Sequence, residues 1–181
     1  MKKYVILAGV NGAGKSTLYS LVPKFAEYIK INLDDEVRQV GDWRNVSDVY
    51  KASKIILAKL RDAFENGQSL CQETTLCGKT IIRSIERAKE EGYVIELHYV
   101  GLNSADLAKD RVANRVKHGG HGISDEDIER RYVESKQNLK YIIPKCDLAV
   151  IYDNTDSFRR FALYKRGELI RISSRVPDWY N

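Results

Sequence analysis

A short apolar run followed at once by Gly9-Val10-Asn11-Gly12-Ala13-Gly14-Lys15-Ser16 constrains this chain more than any other feature. The eight residues satisfy G-x-x-x-x-G-K-[ST]. They also stand where that pattern has to stand, behind a strand-like run at residues 4–8 and before a helix opening at about residue 15. Glycines let backbone N–H groups turn inward around a β-phosphate, and the positive end of the following helix adds to that field. In such a loop Gly9, Asn11, Gly12, Ala13 and Gly14 form the cradle, and Lys15 reaches the β- and γ-phosphates. The Ser16 hydroxyl is then the ligand for Mg²⁺, and Thr17 stands by the α-phosphate. The expectation is a site for ATP and Mg²⁺ in an α/β fold.

The rest of the chain alternates strand-like and helix-like runs, as a mostly parallel sheet covered by helices requires. Strands are expected at residues 28–33, 69–73, 93–100 and 147–152, and helices at residues 47–66 and 79–91. Asn103 or Ser104 caps a further helix, and another opens at Ser124-Asp125-Glu126-Asp127 after the break Gly119-Gly120-His121-Gly122. Residues 158–173, centred on Gly167, read as a terminal hairpin. At 181 residues this is one domain, residues 1–181, of the P-loop three-layer class with five or six strands and a helical lid over about 109–135.

Composition sets limits on the setting. No apolar run reaches the roughly 20 residues of a membrane helix, and the run after Lys2 and Lys3 is too short for a signal peptide. Cys71, Cys77 and Cys146 fit neither a disulfide framework nor a zinc site, which points to free thiols in the cytoplasm. The formal charge of +5 favours anionic partners, with the basic residues interleaved among acids.

A GTPase would carry D-x-x-G and N-K-x-D, and neither is present. Small kinases remain, and these need a base and an acceptor pocket beyond the carboxyl ends of the strands. Asp34, just past the second strand, is the candidate base, with a helix cap as its plainer alternative. Glu73 and Thr75, at the end of the third strand, are candidates for holding an acceptor, or else belong to a simple turn. Arg111, Arg115, Arg130 and Arg131 bracket the glycine-rich break with His121, where a closing flap would meet phosphate, although arginines are also common on solvated helix faces.

Taken in order, Ala8 through Thr17, Ile31-Asn32-Leu33-Asp34, Glu73-Thr74-Thr75-Leu76 and the stretch from Arg111 to Tyr132 resemble the zeta toxin family of P-loop kinases, in a short form. The resemblance implies transfer of the γ-phosphate of ATP to a sugar-nucleotide hydroxyl, in the family that of UDP-N-acetylglucosamine. It implies Asp34 as general base, Glu73 and Thr75 as acceptor contacts and the lid arginines, Arg115 foremost, as the γ-phosphate clamp. It also implies a toxin–antitoxin pairing, hence an antitoxin partner. His121 stands where the longer toxins carry a lid basic residue. The competing class is a nucleic-acid-associated P-loop ATPase or polynucleotide kinase, which the pI of about 9.0 supports and the lack of an aromatic stacking platform interleaved with a basic groove opposes.

Overall fold

In a computed structural model, residues 1–180 are described, and they form one three-layer α/β unit. The strands are β1 (Lys3–Ala8), β2 (Ile29–Ile31), β3 (Leu70–Thr74), β4 (Val94–Gly101), β5 (Leu148–Asp153), β6 (Arg159–Lys165) and β7 (Glu168–Ile172). The helices are α1 (Lys15–Leu21), α2 (Leu33–Val40), α3 (Val46–Glu65), α4 (Lys79–Glu90), α5 (Ala105–Lys117) and α6 (Asp125–Ile142). The sheet order is β2-β3-β1-β4-β5-β6-β7. The first five strands in that order run parallel, and the terminal hairpin adds β6 and β7 antiparallel, which brings the sheet to seven strands.

Every residue from Tyr4 to Ala8 is fully buried, because β1 is central and covered on both faces. Its side chains alternate: Tyr4, Ile6 and Ala8 enter one core with α3, α4 and the end of α6, while Val5 and Leu7 enter the other with α1 and α5. The connection leaving β1 therefore packs on one face, and the one leaving β3 on the opposite face. Such a switch between adjacent strands opens a crevice over their carboxyl ends.

The second strand is shorter than its alternation suggests, and a helix absent from the sequence reading follows it. Asn32 ends the strand and caps α2, its side chain accepting from the Asp34 backbone N–H at 2.9 Å. Asp34, Asp35 and Glu36 then fill the first turn, where the helix dipole favours negative charge. Glu36 is buried and pairs with Lys59, which ties α2 to α3. Across the sheet, Ser124 caps α6 by accepting from the Asp127 N–H at 3.2 Å, as its sequence indicates. The hairpin turns at Arg166 and Gly167, both at positive φ, the backbone a two-residue connection needs.

Candidate active site

The loop between β1 and α1 is held from three sides. A Cβ on Gly9, at φ 142°, would run into the Val100 carbonyl of β4, so only glycine lets the loop leave the sheet at this point. Asn154, in the β5–β6 connection, donates to the Ala13 carbonyl at 2.9 Å. Gly12 sits against Ala108 and Arg111 of α5. The loop curls around its own lysine: Lys15 Nζ donates to the Gly9 and Val10 carbonyls at 3.0 and 3.2 Å. Burial pushes the Lys15 pKa down, and Glu73 and Asp34 oppose that shift. Thr17 lies exposed two residues along α1 from Lys15.

Beside this loop a cavity of about 490 Å³ opens over the ends of β2 and β3. Asn11, Lys15, Asp34, Glu73, Thr75 and Arg131 all line it. Glu73 faces the phosphate loop rather than the far end of the cavity. Both its oxygens accept from Ser16 Oγ at 3.2 Å, Asn32 Nδ2 donates to it at 3.0 Å, and Lys15 Nζ lies 4.0 Å away. β3 positions it, pairing Glu73 with Leu7 of the neighbouring β1. Thr75 stands two residues farther along the same wall, and beyond it the cavity is floored by Ile56 and Leu60 of α3.

Asp34 lines the same cavity and meets the end of α5 and the turn that follows it. Arg115 Nη1 lies 3.9 Å from one carboxylate oxygen and His121 Nε2 3.8 Å from the other. Arg115 Nε also donates to the His121 carbonyl at 2.8 Å, so the arginine and the turn it carries move as one. Burial, more than any charge, pushes the His121 pKa down; Asp34 works against this and Arg115 with it. Arg115 Nη2 and His121 Nδ1 are buried without a hydrogen-bond partner among the described residues. Asp35 points elsewhere, paired with Lys30 at 2.6 Å and Arg38 at 3.4 Å.

The four lid arginines separate into distinct places. Arg115 and Arg131 are central, the latter donating to Asn11 Oδ1 at 3.3 Å. Arg111 turns away from Asp34 and donates to the Thr155 carbonyl at 3.1 Å, beside the β5–β6 connection. Arg130 lines the mouth of the cavity but is largely exposed, held by Asp127 and Glu134 of its own helix. The two arms of the lid are not loose. Ala108, Val112 and Ile128 are buried in the core, leaving residues 118–124 to reach across to Asp34.

Three contributors were not singled out from sequence. Asn32 bonds Glu73 while capping α2, and an asparagine before three acids is a readable helix start. Glu134, twelve residues beyond the break, accepts from the Gly78 N–H at 2.7 Å and closes one side of the cavity. Trp43, in the α2–α3 connection, packs its ring 5.2 Å from that of His121, and nothing in the local sequence announces this. Among the described residues no group of three or more His, Cys, Asp or Glu is arranged to hold a metal ion, and no helix is long and apolar enough to cross a membrane.

Comparison with known proteins bears on the family and the fold. The pattern of the Zeta toxin family matches residues 1–166. A protein of Haemophilus influenzae, described only as uncharacterized, is 33% identical over 131 residues, covering 72% of this chain and 92% of that protein. Among solved structures, the AvrRxo1-ORF1:AvrRxo1-ORF2 complex with sulphate ions superposes at a TM-score of 0.74 and 17% identity over 94% of this chain. The same complex with ATP gives 0.73 and 15% over 94%. The PezAT chromosomal toxin–antitoxin system of Streptococcus pneumoniae gives 0.67 and 18%, over 88% of this chain and 70% of that one. This chain spans 61% and 60% of the two AvrRxo1 chains, and likeness at such identities concerns the fold.

Proposed function

The chain belongs to the zeta toxin family, and on that footing we propose that it is an ATP-dependent kinase acting on a hydroxyl of a small acceptor. The observation that carries this reading is the position of Asp34. Its carboxylate faces the same cavity as Lys15 and lies between Arg115 and His121 of the lid. A carboxylate there can take the proton of an attacking hydroxyl, a role that nucleotide binding alone does not require.

In the reaction the acceptor oxygen attacks the γ-phosphorus, the bond to the β–γ bridging oxygen breaks, and ADP leaves with that electron pair. Asp34 takes the hydroxyl proton. Lys15, Arg115 and Arg131 neutralise charge on the transferring group, which is most of what protein side chains contribute to phosphoryl transfer. Mg²⁺ fits the donors present: Ser16 Oγ would ligate it and Glu73, 3.2 Å from that hydroxyl, would hold one of its waters. Such an ion supplies charge to the phosphate oxygens. Glu73 thus serves the nucleotide end of the cavity, and Thr75 and the surfaces beyond it serve the acceptor.

For the acceptor we propose a sugar nucleotide such as UDP-N-acetylglucosamine, with ATP as donor, and a role as the toxin of a toxin–antitoxin pair. The cavity of about 490 Å³ and its mixture of arginine, threonine and aliphatic walls support this. A cytoplasmic location is part of the same proposal, in keeping with three unpaired cysteines. The test incubates the protein with Mg²⁺, γ-labelled ATP and a panel of sugar nucleotides, free sugars, nucleosides and an oligonucleotide with a 5′-hydroxyl. The expected result is one added phosphate on a sugar nucleotide, read by mass. Label moving to the oligonucleotide, or only to water, would overturn the reading.

A further inference from the structure

The positive charge of this chain is not spread evenly. Residues 159–175 contain six of its 30 lysines and arginines and one of its 25 acids, so this stretch alone accounts for the whole formal excess of +5. The stretch is the terminal hairpin with the segment that follows it. Arg159 is engaged, bonded to the buried Asp153 at 3.0 Å. Arg160, Lys165, Arg166, Arg171 and Arg175 are exposed, and among the described residues none has a carboxylate oxygen within 4.0 Å.

The same hairpin ends the sheet. β7 pairs with β6 alone, and all five of its residues are exposed. Three of those five are large aliphatics, Leu169, Ile170 and Ile172, at 48%, 56% and 43% exposure. Soluble proteins usually blunt such an edge, because its unpaired N–H and C=O groups invite another strand. Here Glu168 at its start, Arg171 and one irregularity in the β6–β7 register are all that interrupt it. The two faces of the edge differ in character. Arg171 pairs with Leu163 on one face, and Ile172 with Ala162 on the other. A cavity of about 420 Å³ lies on this hairpin between Arg160 and Arg171, wide enough to seat a carboxylate side chain. The Zeta toxin family pattern stops at residue 166, before β7 begins, so family membership assigns nothing to this edge.

We propose that the free edge of β7 docks an acidic, extended segment of a partner protein, which adds to the sheet as an eighth strand. Backbone pairing would supply affinity, and alternation would supply selectivity. Carboxylates at every second position would meet Arg171 and Arg160, and aliphatic residues between them would meet Ile170 and Ile172. A nucleic acid would satisfy the charge but not the strand edge, and the exposed side chains here are aliphatic where a nucleic-acid surface needs aromatic platforms.

The test uses a fluorescein-labelled peptide of alternating valine and glutamate, with anisotropy as the readout. Binding is expected to weaken as salt rises and to fall by at least about 10-fold in Arg160→Glu/Arg171→Glu. That variant should keep the melting temperature of the parent. A peptide with alternate backbone amides N-methylated, tested on the parent protein, should also lose binding, because it cannot complete the ladder. Equal binding of the N-methylated peptide would reduce the site to a charged patch and overturn the proposal. So would tighter binding of an oligonucleotide of matched charge, self-association through the same edge detected by sedimentation, or no binding of the peptide at all.

Discussion

Asp34 and Asp35 are adjacent in sequence and opposite in circumstance. Asp34 faces the cavity beside Arg115, while Asp35 is occupied by Lys30 and Arg38. Asp34→Asn should keep the KM for ATP within a few-fold and lower kcat by about 10²-fold or more, since only proton transfer is lost. Asp35→Asn should leave turnover near the parent value, and parent-level turnover by Asp34→Asn would remove it from the mechanism. His98 makes a different prediction. It lies on β4 with Tyr152 OH 3.2 Å from Nδ1, and its Nε2 is buried without a partner among the described residues. Burial pushes its pKa down to about 4, opposed by Glu96 and assisted by Lys3. Between its unfolded value near 6.5 and that figure the unfolded chain binds a proton that the folded chain refuses, so stability falls as pH drops through this window. The loss is on the order of 3 kcal/mol. Urea midpoints measured across the window should show it, and His98→Gln should flatten that part of the slope. An unchanged slope would mean that His98 takes up its proton in the folded state as readily as in the unfolded one.

Among the elements, α2 matters most for the site, because it carries Asp34 into place. It begins at Asn32, whose side chain caps the helix and also steadies Glu73. Asn32→Ala should cost about 1 kcal/mol of stability through the lost cap, and should reduce turnover as well. Asn32→Asp separates the two roles: it restores the cap but sets a second carboxylate against Glu73. Stability should recover in Asn32→Asp while turnover stays low, and recovery of both would show that Asn32 acts through the helix alone. The lid is built differently. Its two helices are anchored in the core, and the turn between them is held beside Asp34 by Trp43 and the Arg115–His121 bond.

The whole molecule is closed at its far side by the segment after β7. Trp179 lies beneath the sheet with its ring against Gly101, and its indole N–H donates to Asp153 at 3.1 Å. Thr155 and Arg159 complete the shell around that carboxylate at 2.7 and 3.0 Å. Asp153 ends β5, and the connection leaving it supplies Asn154 to the phosphate loop. Trp179→Ala should therefore cost about 3–5 kcal/mol by opening a cavity on Gly101. It should also weaken nucleotide-dependent stabilisation, both measurable from melting curves with and without ATP. A loss of stability with an unaltered nucleotide shift would confine Trp179 to packing.

The phosphate loop, the alternation of strands and helices, the Ser124 cap and the terminal hairpin were legible because each rests on local rules: turn geometry, capping chemistry and side-chain period. A loop that wraps its own lysine needs no distant residue to be recognised. The short β2 and the α2 helix were harder, because alternation through residues 28–33 imitates a strand until the Asn32 cap is weighed against it. Beyond that point local chemistry is silent. Nothing near Glu73 says that its carboxylate turns to Ser16, a partner 57 residues away, or that four arginines spaced along one lid divide between the cavity, the β5–β6 connection and open solvent. Those outcomes depend on which strands lie side by side and on how each helix is rotated against the sheet. Long-range packing sets both.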